Sequence, residues 1–106
     1  MTEDKLQTTC FQWFWNNFPE KRGQLFHVNQ KAKNAIEGNR MKAMGVVAGV
    51  SDLVYLQPGG RVKFIEMKTE TGSQSPEQKK FQLLAIGLGF EYVICRTFED
   101  FRAAVE

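Results

Sequence analysis

The stretch DLVYLQPGGRVKFIEMK, residues 52–68, decides the fold of this chain. Its two halves are rich in residues that favour strands, and the Gln57-Pro-Gly-Gly between them is typical of a turn. We therefore predict a hairpin with strands over residues 52–56 and 61–67. A turn centred on Gly59 places Asp52 directly opposite Glu66, and alternation puts Glu66 and Lys68 on one face.

The sequence on either side of this hairpin predicts helices and two further strands. Ser75 and Gln78 flank Pro76 as a capping box that starts a helix, and Pro19 ends the first one. The predicted elements are, in chain order, a helix over 3–18, a strand over 24–29, a basic and partly helical segment over 31–44 interrupted at Gly38-Asn39, the hairpin, a helix over 76–88, a strand over 90–95 and a last helix capped by Thr97. We expect one α/β domain over residues 1–106, with a small mixed β-sheet whose central hairpin is flanked by helices.

Composition excludes several classes of protein. Apolar residues make up 42% of the chain and charged residues 25%, as in ordinary globular proteins. We find no apolar run long enough to cross a bilayer and no signal peptide, so we expect a soluble, cytoplasmic protein of a bacterial or phage-infected cell. Two cysteines, Cys10 and Cys95, and one histidine cannot make the usual zinc site, so both thiols are interpreted as reduced core residues.

The hairpin itself carries a candidate catalytic centre. Opposed carboxylates at Asp52 and Glu66 repel one another unless a cation lies between them, and hard oxygen ligands suit Mg²⁺ or Mn²⁺. Lys68 can reach the same place and neutralise charge on a phosphate. The alternative is a solvated face with a surface salt bridge. Apolar residues on the same face argue against this alternative, because they predict that the face is turned to the core. They are Val54, Leu56, Val62 and Phe64.

Two further polar features bear on this interpretation. Glu3 and Gln7 lie inside the apolar arc of the first helix, so each needs a partner in the interior or at a site. Residues 21–42 hold six basic residues and one acid, a pattern suited to DNA phosphates and equally to a solvated surface. The predicted DNA-binding residues are Lys31, Lys33, Arg40 and Lys42.

Four motifs together closely resemble the virus-type replication-repair nuclease (VRR-NUC) domain of the PD-(D/E)xK nuclease superfamily. They are Lys42-Ala-Met-Gly45, Gly49-Val-Ser-Asp52, Glu66-Met-Lys68 and Ser75-Pro-Glu-Gln78. The resemblance implies a PD-(D/E)xK nuclease-like fold, with Asp52, Glu66 and the Met67 carbonyl as metal ligands and Lys68 as the catalytic lysine. It also implies that Gln78 supports the site and that Glu3, the acidic residue of the first helix, is a further candidate metal ligand. The proline usual before the aspartate is Ser51 here, which weakens the motif more than the chemistry.

These features lead us to expect a metal-dependent endonuclease that hydrolyses DNA phosphodiester bonds. The resemblance extends the expectation to branched DNA such as four-way (Holliday) junctions. The alternatives are a non-catalytic nucleic-acid-binding module and a protein-interaction module that uses the tryptophan-rich first helix. For Gln78 a capping role and a site role are both open, for Lys42 a phosphate contact and a solvated position, and His27 is assigned a structural or phosphate-contact role rather than catalysis.

The apolar arc of the first helix also bears on assembly. Trp13 and Trp15 widen that arc beyond what one core contact needs. Either the helix is covered on two sides within the chain, or it buries a face in a second subunit. We expect a homodimer, which would present two equivalent centres to a symmetrical junction.

Overall fold

A four-stranded mixed sheet lies at the centre of the computed structural model, which describes residues 1–28 and 31–106. The strands lie side by side in chain order, β1 (Leu25–His27), β2 (Leu53–Gln57), β3 (Arg61–Met67) and β4 (Glu91–Cys95). The β1–β2 and β2–β3 pairs are antiparallel, whereas β3 and β4 are parallel because a helix connects them. The predicted mixed sheet with a central hairpin is confirmed. Asn29, at the end of the predicted first strand, lies outside the described residues.

Four α-helices flank the sheet, and each begins at a polar residue whose side chain accepts a backbone N–H. They are α1 (Glu3–Asn17), α2 (Ala35–Ala43), α3 (Pro76–Gly87) and α4 (Phe98–Val105), capped by Thr2, Asn34, Ser75 and Thr97. These caps satisfy N–H groups that the first helical turn leaves unpaired. The predicted break at Gly38-Asn39 is wrong, since α2 runs through both residues. None of the helices in the described ranges is long and apolar enough to span a membrane.

The hairpin has the register that the sequence predicts. Leu53 pairs with Ile65 and Val54 with Phe64, so the next position along places Asp52 across from Glu66. The turn is a short 3₁₀ segment, Pro58–Gly60, in which Gly59 and Gly60 have φ values of 79° and 73°. Side chains rarely adopt such angles, so glycine fixes the turn and the turn fixes the register.

One face of the sheet carries the fully buried core. Leu53, Ile65 and Met67 point to this face and have no exposed surface. They pack against Phe14 of α1 and Phe101 of α4 in one cluster. Burying these large apolar side chains supplies most of the driving force for folding.

The opposite face, which carries Asp52 and Glu66, lies under α3. Phe64 of β3 meets Phe81 of α3 edge to face, with ring centroids 5.1 Å apart. Helix α3 covers this face less completely than α1 and α4 cover the core face, and Leu56 remains 42% exposed. The carboxylate face is therefore packed as expected, but the main core lies on the other side.

The two tryptophans of α1 differ in their environment. Trp13 packs edge to face on Phe98 and Phe101 of α4, with centroids 5.2 and 6.4 Å away. Trp15 is 43% exposed and stacks against Arg22. The wide apolar arc is thus explained in part within the chain, because α4 covers the Trp13 side of α1.

Candidate active site

Asp52 is fixed at the start of β2 by several hydrogen bonds. Ser51, fully buried, donates its hydroxyl to the Leu53 carbonyl at 3.0 Å, so the residue in the proline position closes the local turn. The Asp52 carbonyl accepts from the Val28 N–H at 3.0 Å and from His27 Nδ1 at 2.8 Å. Since a carbonyl only accepts, Nδ1 carries the proton in this contact. His27 therefore has a structural role beside the site.

The Asp52 side chain joins the two strands of the hairpin at the site. Its Oδ2 accepts the Met67 N–H at 2.8 Å, which draws the carboxylate across to β3. Burial raises the pKa of Asp52, while the Met67 N–H lowers it. The carboxylate is thus held beside Glu66 by the backbone of the strand that carries Glu66.

Glu66 is a carboxylate in the interior of the protein. Its side chain is fully buried, and Oε2 accepts from Gln78 Nε2 at 2.6 Å and lies 3.6 Å from Lys68 Nζ. Its other oxygen, Oε1, is buried and has no hydrogen-bond partner among residues 1–28 and 31–106. Burial and the nearby Asp52 charge raise the pKa of Glu66 from 4.5 to about 7, and Lys68 offsets part of that rise. An unpaired buried carboxylate oxygen is costly and needs a partner.

Lys68 is held between two carboxylates at the end of β3. It is buried, and Nζ lies 3.6 Å from Glu66 Oε2 and 4.0 Å from Glu3 Oε1. Glu66 and Lys68 therefore lie together, as the sequence predicts. Glu3 finds its partner in this lysine, and Gln7 lies 3.1 Å from His27 Nδ1.

The metal-ligand role of Glu3 stays a prediction, since its carboxylate lies 4.0 Å from Lys68 Nζ in this structure. Among residues 1–28 and 31–106, no three carboxylate, histidine or cysteine side chains converge so as to hold a metal ion. Glu3 is on α1, which packs on the core face of the sheet, whereas Asp52 and Glu66 face α3. The Asp52 and Glu66 carboxylates are the donors that the structure brings together, and the Met67 carbonyl stays a predicted third ligand. An orphaned Glu66 oxygen and two carboxylates with raised pKa values suit a hard cation that keeps several waters.

Gln78 combines the two roles that the sequence left open. Its backbone N–H and side-chain Oε1 complete the capping box with Ser75, at 3.2 and 2.8 Å. Its Nε2 simultaneously donates to Glu66. The first turn of α3 is therefore built so that the helix cap also orients the buried carboxylate.

Gly49, the first residue of the Gly49-Val-Ser-Asp52 motif, has a packing role that the motif alone did not predict. A Cβ at this position would lie 2.3 Å from the Glu77 carbonyl oxygen, and its φ is +87°. The loop before Asp52 therefore rests directly on the start of α3. Glycine allows this close backbone contact because it has no Cβ and adopts a positive φ.

The role of Arg96 beside the site was also not predicted from the sequence. Its Nη1 donates to the carbonyls of Thr69 and Gly72 at 2.9 and 2.5 Å. These bonds secure the loop that follows Lys68 to the end of β4. An arginine after a strand gives no local signal for this contact, because its partners are backbone oxygens distant in sequence.

A cavity of about 350 Å³ opens beside Asp52, and Glu66 lies behind Gln78 rather than in its lining. Asp52 and Gln78 line it together with His27, Lys31 and Gly49. Of the predicted DNA-binding residues, Lys31 thus lies at the site, with Nζ 3.8 Å from Asp4 Oδ2. Lys42 lines a neighbouring groove that shares Gly49, and Lys33 and Arg40 are exposed at and near α2.

The mixed sheet under a capped helix, with buried Glu66 beside Lys68 and half-buried Asp52, belongs to a nuclease-type fold. The sequence profile of the VRR-NUC domain matches residues 1–99, and this chain belongs to the VRR-NUC family.

Solved structures agree on the fold. One named "VRR_NUC domain protein" superposes with a TM-score of 0.80 at 23% identity, over 98% of this chain and 84% of the other. A second, named "VRR_NUC domain", gives a TM-score of 0.61 at 15% identity, over 97% of this chain and 94% of the other. At these sequence identities the two structures are evidence for the fold alone. No curated protein matches the sequence.

Proposed function

We propose that this protein is a metal-dependent endonuclease that hydrolyses DNA phosphodiester bonds, with branched DNA such as four-way junctions as its substrate. The observation that carries the proposal is the buried Glu66 carboxylate, whose Oε1 lacks a partner while Asp52 and Lys68 stand beside it. A merely structural Glu66 would leave this oxygen unpaired at considerable cost. Membership of a nuclease family supports the reaction type.

Each side chain has a definite task in this reaction. Asp52 and Glu66, with the Met67 carbonyl, would hold Mg²⁺ or Mn²⁺. When bound, such an ion supplies Lewis-acid activation of water and neutralises charge on the phosphate. Lys68, whose Nζ lies 3.6 Å from Glu66 Oε2, would stabilise the charge that develops on the scissile phosphate. Gln78 orients Glu66 by donating to Oε2, so the free Oε1 remains available.

A cleavage assay with matched variants tests this function. Linear, nicked, flapped and four-way DNA of the same sequences would be incubated with Mg²⁺, with Mn²⁺ and with EDTA. We expect cleavage only with a divalent ion, fastest on branched DNA, and none with Glu66→Gln. DNA binding without cleavage under every metal would favour the non-catalytic module instead. Equal rates on all four substrates would contradict the branched-DNA selectivity.

We also propose that the protein works as a homodimer, with the contact at α3 rather than around Trp13. Residues 83–90 expose five large apolar side chains, a cluster typical of an interaction surface. They are Leu83, Leu84, Ile86, Leu88 and Phe90, which are 39–72% exposed. A two-fold contact between two copies would cover this surface and present two centres to DNA.

Light scattering tests the dimer and its position. We expect twice the monomer mass for the wild type and the monomer mass for Leu83→Glu. Trp15→Glu is the matched control, since Trp15 is exposed on α1, and it should remain dimeric. A wild-type monomer that cleaves four-way DNA at full rate would refute the dimer.

A further inference from the structure

The loop that follows Lys68 is fastened at its first turn by one arginine side chain. Arg96 Nη1 donates to the Thr69 carbonyl at 2.9 Å and to the Gly72 carbonyl at 2.5 Å. The Gly72 N–H donates back to the Thr69 carbonyl at 3.3 Å. Because a guanidinium is always charged, its hydrogen bonds to these carbonyls are stronger than bonds between neutral groups. Arg96 thus closes the turn over residues 69–72, which we refer to as the 69–72 turn.

Arg96 is itself held in place by the start of α4. Its backbone N–H donates to Asp100 Oδ2 at 2.9 Å, and the Asp100 N–H donates at 3.1 Å to the Thr97 hydroxyl that caps the helix. The residue before it, Cys95, accepts the Lys68 N–H at 3.0 Å. The guanidinium is therefore attached to a fixed backbone beside the end of β3, so it can hold the turn instead of moving with it.

The 69–72 turn lies against the carboxylate that faces Lys68. A Cβ added at Gly72 would lie 3.7 Å from Glu3 Oε2, while Glu3 Oε1 lies 4.0 Å from Lys68 Nζ. The Glu3 carboxylate thus has the turn on one side and the lysine on the other. If the turn opened, Glu3 would lose this contact, and the buried ammonium would be left with Glu66 at 3.6 Å as its carboxylate neighbour.

We infer that Arg96 is a positioning residue for DNA cleavage, because closing the 69–72 turn keeps Glu3 against Lys68 and so fixes where the lysine ammonium stands. This inference rests on the proposed DNA-cleaving function. Arg96 acts through the turn, since the two described hydrogen bonds of its side chain go to backbone carbonyls. A displacement of about 1 Å in a reacting group can cost about a hundredfold in rate. Loss of the arginine should therefore slow the chemical step and leave DNA binding unchanged.

Cleavage kinetics of Arg96→Ala test the position of the lysine. We expect kcat to fall about ten- to a hundredfold, while KM and the affinity for DNA in EDTA change less than about twofold. Arg102→Ala is the matched control, since it removes an arginine of α4 that pairs with Glu106 instead of with the turn, and it should cleave at the wild-type rate. A loss confined to KM, or weaker binding with a shallower salt dependence, would mean that Arg96 contacts a phosphate itself and would overturn the inference.

Acylation of the lysines in EDTA, without DNA, gives a second measurement that does not need cleavage. A buried amine reacts only when its surroundings open, so the wild type should be labelled slowly at Lys68. Labelling at Lys68 should be roughly tenfold faster in Arg96→Ala, because hydrogen bonds from a charged donor no longer oppose opening. Lys63 is the internal control, since it donates to the Ala104 carbonyl at 2.7 Å, and it should react equally in both proteins. No rise at Lys68 would overturn the inference, and so would an equal rise at Lys63, which would mean that the variant is loosened throughout.

The role of Arg96 and the proposed function fail in different ways. If the wild type cleaves DNA and Arg96→Ala cleaves it equally well, only the role of Arg96 fails. If the wild type cleaves no DNA with any divalent ion, the proposed function fails and this role fails with it, even where labelling at Lys68 rises.

Discussion

Glu66→Gln is expected to remove most of the pH dependence of stability in metal-free buffer. In the folded chain the pKa of Glu66 is raised from 4.5 to about 7. The folded chain therefore keeps a proton that the unfolded chain releases between these values. The contribution of the protonated Glu66 to the free energy of unfolding is complete below pH 4.5 and is lost as pH rises through 7. At about 1.4 kcal/mol per pKa unit, this shift corresponds to a loss of about 3 kcal/mol.

At pH 8, Glu66→Gln should gain less than about 3 kcal/mol of stability over the wild type. A glutamine cannot form the ion pair with Lys68, whose remaining carboxylate neighbour is Glu3 at 4.0 Å. Its amide oxygen can still accept the hydrogen bond from Gln78. We therefore expect Glu66→Gln to be more stable than the wild type by about 1–2 kcal/mol at pH 8, and close to it or below it at pH 5.

Urea unfolding between pH 5 and 8.5 in EDTA measures this difference. Mg²⁺ added at pH 8 should stabilise the wild type and leave Glu66→Gln unchanged, because the variant has lost one ligand. Glu91→Gln is the control, since that carboxylate is at the surface and Arg61 lowers its pKa, so it cannot weaken the protein as pH rises. An identical pH profile for the wild type and Glu66→Gln would refute the assignment of this titration to Glu66.

The remaining predictions concern catalysis, DNA contact and backbone packing. Lys68→Ala should abolish cleavage and leave DNA affinity nearly unchanged, and wild-type turnover would remove this lysine from the mechanism. Gly49→Ala should lower the free energy of unfolding by more than about 1 kcal/mol in urea, because a Cβ would strike the Glu77 carbonyl, while Gly87→Ala, with nothing within 4 Å, should not. Truncating the predicted DNA-binding residues should flatten the salt dependence of binding by up to about 0.9 per phosphate contact, and an unaltered slope would show that they face away from DNA. Those truncations are Lys31→Ala, Lys33→Ala, Arg40→Ala and Lys42→Ala.

Local signals in the sequence were sufficient for most of the fold. Pro76 after Ser75 and the glycine pair at the turn act over a few residues, so α3 and the hairpin register could be predicted. The register then brought Asp52 and Glu66 together on one face. The uninterrupted α2 could not be predicted, because a glycine and an asparagine inside a short helix disfavour it locally.

The parts of the site that the sequence did not reveal depend on contacts between distant segments. Arg96 binds carbonyls more than twenty residues before it, and Gly49 meets Glu77 across a loop. Glu3 was expected at the site, and it is there, but on the lysine and not with the paired carboxylates. Which oxygen a side chain reaches depends on how the helices pack on the sheet.

The alternation of core and site residues along β2 and β3 links correct folding to the assembly of the carboxylate pair. Leu53 and Ile65 face the core, and Asp52 and Glu66, their neighbours in sequence, face α3. If the strands slipped by one residue, both sets would exchange sides, so charges would enter the apolar interior as the centre came apart. A chain in the slipped register would therefore lack the paired carboxylates on the face that α3 covers.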